Sequence, residues 1–193
     1  MKIEQKMEEF ILFKYVVNIL GIKGEQALEM LKGFEKNEIS RNRQLDSKLI
    51  ANGSVLFVAN GLVGIYSKEK PSCIIDFVKG ENLINDISHD PLMIKIVAIE
   101  KTCIYSIDRK LLDVYEEKFP SLKSAINQNL KIAFINSMVR IKNLLTLEAA
   151  DRYKLWLAGD PDLVKRVPQY LVALYLGISP TSLSRIRKDL FRK

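Results

Sequence analysis

Apolar residues recur with a helical period at both ends of this chain and with shorter, strand-like runs in the middle. From Glu4 to Leu20, Met7, Ile11 and Tyr15 stand four apart, flanked by Phe10, Phe13 and Val17. That spacing predicts an amphipathic helix. Gly21 and Gly24 break it, and Glu25 to Lys32 predicts a shorter helix. From about Phe34 the runs become β-rich and are punctuated by Gly, Asn, Asp and Pro. EISRNRQLDSKLI predicts two strands around a turn at Asn42, and SVLFVANGLVGIY predicts two strands joined as a hairpin at Asn60-Gly61. SCIIDFV, MIKIVAI and CIYSI add further strands, which together predict an antiparallel sandwich or barrel.

From Arg109 onward the period is helical again. RKLLDVYEEKF predicts a short helix ended by Pro120, and Ser121 is placed to cap a long one reaching about Leu145. Leu122, Ile126, Leu130, Phe134, Met138, Ile141 and Leu145 form its main stripe, and Ile132, Ile135 and Val139 widen it. A stripe this broad can serve two partners, the β-rich part of the chain and the same helix of a second subunit, the other reading being one buried helix in a monomer. Ile126, Leu130, Phe134, Met138 and Ile141 are the candidate dimer contacts. Leu147 to Leu157 then opens a compact helical region containing Trp156.

Val167 to Lys188 carries the most specific pattern. A helix from Pro168 to about Leu176 is followed by Gly177, which supplies a left-handed cap. Ser179 is a suitable N-cap and Pro180 a suitable first helical residue for a second helix reaching about Leu190. Leu183, Ile186 and Leu190 make its inward stripe, and Thr181, Ser182, Ser184, Arg185, Arg187 and Lys188 occupy its other faces. Small hydroxyl residues followed by cations suit a helix that enters the DNA major groove, where an Arg pairs bidentately with guanine. The pattern therefore points to a helix-turn-helix and to double-stranded DNA as partner. Thr181, Ser182 and Arg185 are the candidate base contacts. Ser179, Arg187, Lys188, Lys165 and Arg166 are the candidate phosphate contacts, with Ser179 equally readable as a cap alone.

Charge supports that end of the molecule as the binding end. The 193 residues carry a net +7; from Asp151 onward nine Lys or Arg oppose four Asp, a net of +5, leaving +2 for the preceding 150 residues. A basic end on a nearly balanced body suits a polyanion. Cys73 and Cys103 are too few and too far apart for a four-cysteine metal site, and both lie in apolar runs, so buried free thiols in a reducing, cytoplasmic setting are expected. No apolar run is long enough to span a membrane, and MKIEQKMEEF lacks a signal-peptide core. His89 is the single histidine and lies in a polar turn; no nucleophile-elbow or phosphate-loop motif occurs. No metal, no cofactor and no enzymatic activity are expected.

The order of elements, together with RVPQYLVALYLGISPTSLSRIRK, YEEKFPSL and FVKGENL, resembles the Crp/Fnr family of bacterial transcription regulators over nearly the whole chain. The resemblance implies an α+β architecture: an N-terminal antiparallel β-roll like a cyclic-nucleotide-binding domain with helices before it (1–120), a long dimerisation helix (121–146) and a C-terminal helix-turn-helix domain (147–193). It implies a homodimer on palindromic promoter DNA that recruits or blocks RNA polymerase. The likeness is to a short branch that ends soon after the recognition helix, so the β-wing's backbone contacts need replacement, for which Lys165 and Arg166 are placed. Nucleotide-binding members hold the cyclic phosphate with a Gly-Glu pair and a following Arg and Ser/Thr. Gly80 and Glu81 match the pair, but the Arg and Ser/Thr positions fall on Val97 and Ala98. An apolar pair offers a phosphate neither cation nor donor. The resemblance thus implies a possible effector pocket at Gly80, Glu81, Val97 and Ala98 for an unknown small molecule other than cyclic AMP. The contrasting reading is a small-molecule or cyclic-nucleotide-binding module whose helical end only dimerises or docks protein.

Overall fold

A computed structural model of the chain describes residues 2–51, 53–70, 72–84 and 94–191. His89 with its loop ISHDPL, and the final Arg192 and Lys193, lie outside the described residues. The elements run α1 (Lys2–Asn18), α2 (Glu25–Leu31), β1 (Glu35–Ile39), α3 (Ser47–Ala51), β2 (Val55–Asn60), β3 (Leu62–Ser67), β4 (Ile74–Lys79) and β5 (Asn82–Ile84). They continue with β6 (Ile94–Ala98), β7 (Thr102–Ile107), α4 (Arg109–Lys118), α5 (Pro120–Thr146), α6 (Ala149–Ala158), α7 (Pro161–Arg166), α8 (Gln169–Tyr175) and α9 (Pro180–Phe191). The fold class is α+β.

Two antiparallel sheets face each other, one in the order β1-β7-β2-β5 and the other β4-β3-β6. Leu56 and Val58 point into the space between them, where they meet Val63, Ile96, Ala98 and Ile104. Alternate residues of the same strand, Val55, Phe57 and Ala59, point the other way, into a layer made by α1, α2, α4 and the start of α5. Strand β2 is apolar without alternation because both of its faces are covered. The outer face of the second sheet, through Leu62, Ile74 and Phe77, packs on Tyr153, Leu171, Val172 and Leu176 of the C-terminal helices.

Several expectations need correction. Asn60-Gly61 does not close a hairpin: β2 and β3 belong to different sheets, and the dipeptide turns the corner between them. The Gly61 N–H donates to its neighbour's side chain at Asn60 Oδ1 (2.8 Å), and Gly61 has φ +101°. A Cβ there would lie 2.6 Å from the Thr102 backbone, so glycine is needed for the close approach as well as for the turn. Asn42 does turn the chain, with φ +61°, but no second strand follows. Gln44 makes one isolated bridge to Val97, and Asp46 then accepts from the Lys48 N–H (2.9 Å) at the start of α3. Turn-forming Asp and Ser outweigh the short apolar run there.

Pro120 is the first residue of α5 and Phe119 its N-cap, so Ser121 is not the cap. Pro168, by contrast, is the N-cap of α8 rather than its first residue. On α1 the buried stripe is Leu12, Tyr15 and Val16, while Met7 and Phe10 are exposed. Cys103 is buried as expected, but Cys73 is exposed, because it precedes β4 instead of lying within it.

Candidate nucleic-acid interface

The C-terminal helices form a compact unit around Tyr153, Leu171, Val172, Leu176 and Leu183. Helix α8 ends at Tyr175 with Leu176 as its C-cap; Gly177 takes φ +68°, and the Ile178 N–H reaches back to the Ala173 carbonyl (3.0 Å). The left-handed residue just after the C-cap is one that glycine permits at no steric cost. Two residues later the Ser179 hydroxyl accepts from the Ser182 N–H (3.0 Å), so Ser179 is an N-cap of α9. The pair of caps fixes the angle between α8 and α9. Leu183 is fully buried and Ile186 packs at the margin of the same core, whereas Leu190 is 37 % exposed. The inward stripe therefore covers the first two turns of α9 and frays toward its end.

Because Leu183 and Ile186 point inward, helical geometry sends Thr181, Ser184, Arg185 and Lys188 directly outward, with Ser182 and Arg187 on the flanks. All six are exposed. Among the described residues, Arg185, Arg187 and Lys188 make no ion pair. The structure thus brings together the candidate base contacts Thr181 and Arg185 and the candidate phosphate contacts Lys188 and Arg187. Ser182 is the weaker base candidate, since its hydroxyl lies 2.8 Å from that of Ser179. Ser184 replaces it on the outward face; the direction of the Leu183–Ile186 stripe was the signal that marks it.

Lys165 is exposed at the end of α7, but Arg166 is not free for phosphate. Its guanidinium pairs with both oxygens of Glu100, with Asp162 (2.5 Å) and with the Gly61 carbonyl (2.9 Å). Glu100 and Gly61 lie on the β-domain, so Arg166 ties the two parts of the chain together. The reason is charge: a guanidinium presenting five donors is better satisfied by a bidentate carboxylate than by solvent.

No protein-family model and no curated protein sequence match the chain. Solved structures do. A CooA mutant from Carboxydothermus hydrogenoformans superposes with TM-score 0.72 at 19% identity, covering 91% of this chain and 82% of that one. A transcriptional regulator of the crp/fnr family from Eubacterium rectale gives 0.71 at 10% identity, with 92% and 87% covered. The c-di-GMP responsive global regulator CLP of Xanthomonas campestris gives 0.69 at 16% identity, with 84% and 89% covered. The chain has the Crp/Fnr fold.

Within this Crp/Fnr fold, Gly80 and Glu81 form a second corner between the sheets, beside that at Gly61. The Gly80 N–H donates to the Gly61 carbonyl (3.0 Å) and the Glu81 N–H to the Val58 carbonyl (2.7 Å), with Glu81 at φ +68°. A cleft of about 420 Å³ lined by Gly80, Glu81, Lys79 and Arg166 includes neither Val97 nor Ala98. Ala98 is wholly buried between the sheets, and Val97 pairs with Gly64 on β6's partner strand. The space between the sheets is filled by side chains such as Leu56, Val63, Ile96 and Ile104.

On α5, Leu122 and Ile126 are buried in the chain's own core. Ile126 thus leaves the set of candidate dimer contacts, since the β-domain already covers it. Leu130, Phe134, Met138 and Ile141 are exposed by 45, 64, 45 and 47 %. Among the described residues, no helix is long and apolar enough to cross a membrane.

Proposed function

We propose that this protein is a sequence-specific DNA-binding transcription regulator that acts as a homodimer on palindromic promoter sites. Its parts are a sensor-like β-roll with N-terminal helices (1–120), a dimerisation helix (121–146) and a DNA-binding region (147–193). The observation that carries the reading is the outward face of α9, where Thr181, Ser184, Arg185 and Lys188 stand together, exposed and without anionic partners, on a rigidly capped helix. Arg185 reads guanine, Thr181 and Ser184 approach neighbouring base edges, and Lys188, Arg187 and Lys165 hold phosphates. Pairing through Leu130, Phe134, Met138 and Ile141 presents two such helices to successive major grooves, about 34 Å apart. RNA polymerase is the downstream partner. Any effector is other than cyclic AMP, and no residue is assigned a catalytic role. Among structures sharing the fold, one is a CO-dependent transcription factor and another a c-di-GMP responsive regulator of virulence gene expression, which supports a regulator of this general kind.

The test is binding to an operator selected from random DNA. Affinity falls steeply as salt rises, because phosphate contacts release counterions. Arg185→Ala costs about 1–3 kcal/mol and relaxes preference at one base position per half-site, whereas Lys188→Ala weakens all sequences alike. Unchanged affinity and unchanged preference in Arg185→Ala defeat the assignment of α9 as the reading helix. A protein that shows no DNA affinity at low salt is instead the alternative module, whose helices only dimerise or dock protein.

A further inference from the structure

A second cleft, of about 300 Å³, lies between α5 and the C-terminal helices, away from both α9's outward face and the β-roll interior. Its floor and walls are mostly apolar: Val139, Leu144, Leu155, Trp156 and Leu163. Two guanidiniums also line it, Arg140 from α5 and Arg152 from α6. Both are only partly exposed, and neither forms an ion pair with a carboxylate among the described residues, although the Asp76 carboxyl stands near enough to Arg140 to feel its charge. Arg140 Nη2 donates to the Ile74 and Tyr175 carbonyls (2.9 and 3.0 Å), its guanidinium lies 4.3 Å from the Tyr175 ring centre, and its buried Nε has no hydrogen-bond partner. Arg152 donates to the carbonyls of Leu176 (3.1 Å) and Leu147 (2.6 Å). The one acid lining the cleft, Asp160, is engaged by Lys79.

Half-buried cations are ordinarily paired with anions, because carbonyl dipoles offset only part of the lost hydration. Arg152 meets only carbonyls, and Arg140 keeps a buried Nε without a partner and has Asp76 nearby but no ion pair, so two incompletely compensated cations stand next to a surface that favours hydrocarbon. We propose that this cleft binds a small monocarboxylate with an apolar tail, the carboxylate between Arg140 and Arg152 and the tail against Leu155, Trp156 and Leu163. The volume stands at the small end of ligand pockets, which suits a tail of roughly seven carbons. The site does not compete with subunit pairing: Asn136, Arg140 and Asn143, four and three residues apart, mark a face of α5 well away from Phe134, Met138 and Ile141. The inference stands apart from the DNA-binding reading, since its readout needs no DNA.

Trp156 is the only tryptophan in the chain and lines the cleft, so its emission reports occupancy directly. The full-length protein is titrated with octanoate, with 1-octanol and octylammonium as tail-matched controls. Octanoate is expected to change Trp156 emission saturably, with one site per chain and at least tenfold tighter than either control. Arg152→Gln is expected to abolish that preference. Because this change also removes two hydrogen bonds to carbonyls, Leu155→Glu serves as a second variant. Leu155 is half-exposed, so a folded protein is expected, and its new charge repels the ligand and weakens octanoate at least tenfold. Equal binding of octanoate and 1-octanol, an unchanged affinity in folded Leu155→Glu, or no emission change with octanoate at millimolar concentration each overturns the proposal.

Discussion

Single side chains in this protein owe their roles to where the backbone leaves them. Cys73 and Cys103 sit in similar apolar contexts, yet one is exposed and the other, on β7, is buried in the core that α1 covers. Burial, reinforced by the nearby Glu8 carboxylate, pushes the Cys103 thiol up to about 12. The thiolate is the reactive form, so at pH 8 Cys103 is inert. Iodoacetamide is accordingly expected to label one thiol per chain in the native protein and two after denaturation. Rapid native labelling of Cys103, read by mass spectrometry of its peptide, contradicts that placement. Val97 and Ala98 carry a parallel argument. Neither supplies a cation or a hydroxyl, and a cyclic phosphate retains its charge when it leaves water. Cyclic AMP at roughly tens of micromolar, the range set by ordinary affinity arithmetic, is expected to leave the melting temperature unchanged. A rise that Glu81→Ala abolishes restores a nucleotide-gated reading.

At the scale of elements, α5 is the unusual one. It is 27 residues long, yet its own chain buries only Leu122 and Ile126. The rest of its stripe, including Leu130, Phe134, Met138 and Ile141, stays exposed. An apolar face this continuous supports the proposed subunit contact. In the proposed dimer a charge at its middle would be buried without a partner, at a cost of several kcal/mol. Met138→Glu is therefore expected to give monomers or insoluble protein. A wild-type chain that sediments as a monomer at micromolar concentration removes the proposed dimer. Helix α9 shows the reverse economy: one face is held by Leu183 and Ile186, and all the rest is left free for a partner.

For the molecule as a whole, the question is what docks the C-terminal helices on the second sheet. Phe77 of β4 meets Trp156 and Tyr175 with ring centres 5.7 and 5.2 Å apart. Around this apolar contact stand Arg166 with Glu100 and Gly61, Arg140 with the Ile74 carbonyl, and Lys79 with Asp160. The hydrogen bond from Lys79 holds the Asp160 carboxyl below the usual range, with smaller help from the Asp162 and Leu163 N–H groups. A carboxylate lowered in the folded state adds stability above its unfolded pKa, and loses it as pH falls through the folded value. Docking is thus expected to weaken on acidification below about pH 4, the ordinary carboxylate range. Trp156 emission follows it, since this ring lies at the contact. Asp160→Asn keeps the α7 cap but loses the charge, so its docking starts weaker at neutral pH and changes less with acid. Superimposable titrations of wild type and Asp160→Asn rule out this bridge as the acid-sensitive element.

Elements whose determinants are local were legible in the sequence. The period of α5, the Gly177 and Ser179 caps, and the Leu183–Ile186 stripe each depend on residues within a turn or two of one another, so pattern alone located the helix-turn-helix and its exposed cations. Tertiary structure decided what depends on distant partners. Asn60-Gly61 has the chemistry of a tight turn in either setting, but whether the flanking strands pair or part depends on β7 and β4, which compete for β2 and β3 from elsewhere in the chain. Arg166 reads as one more cation beside a basic helix until Glu100, 66 residues away, takes it. Ile126 and Met138 belong to one stripe by spacing, and only the reach of the β-domain along α5 separates the buried residue from the exposed one.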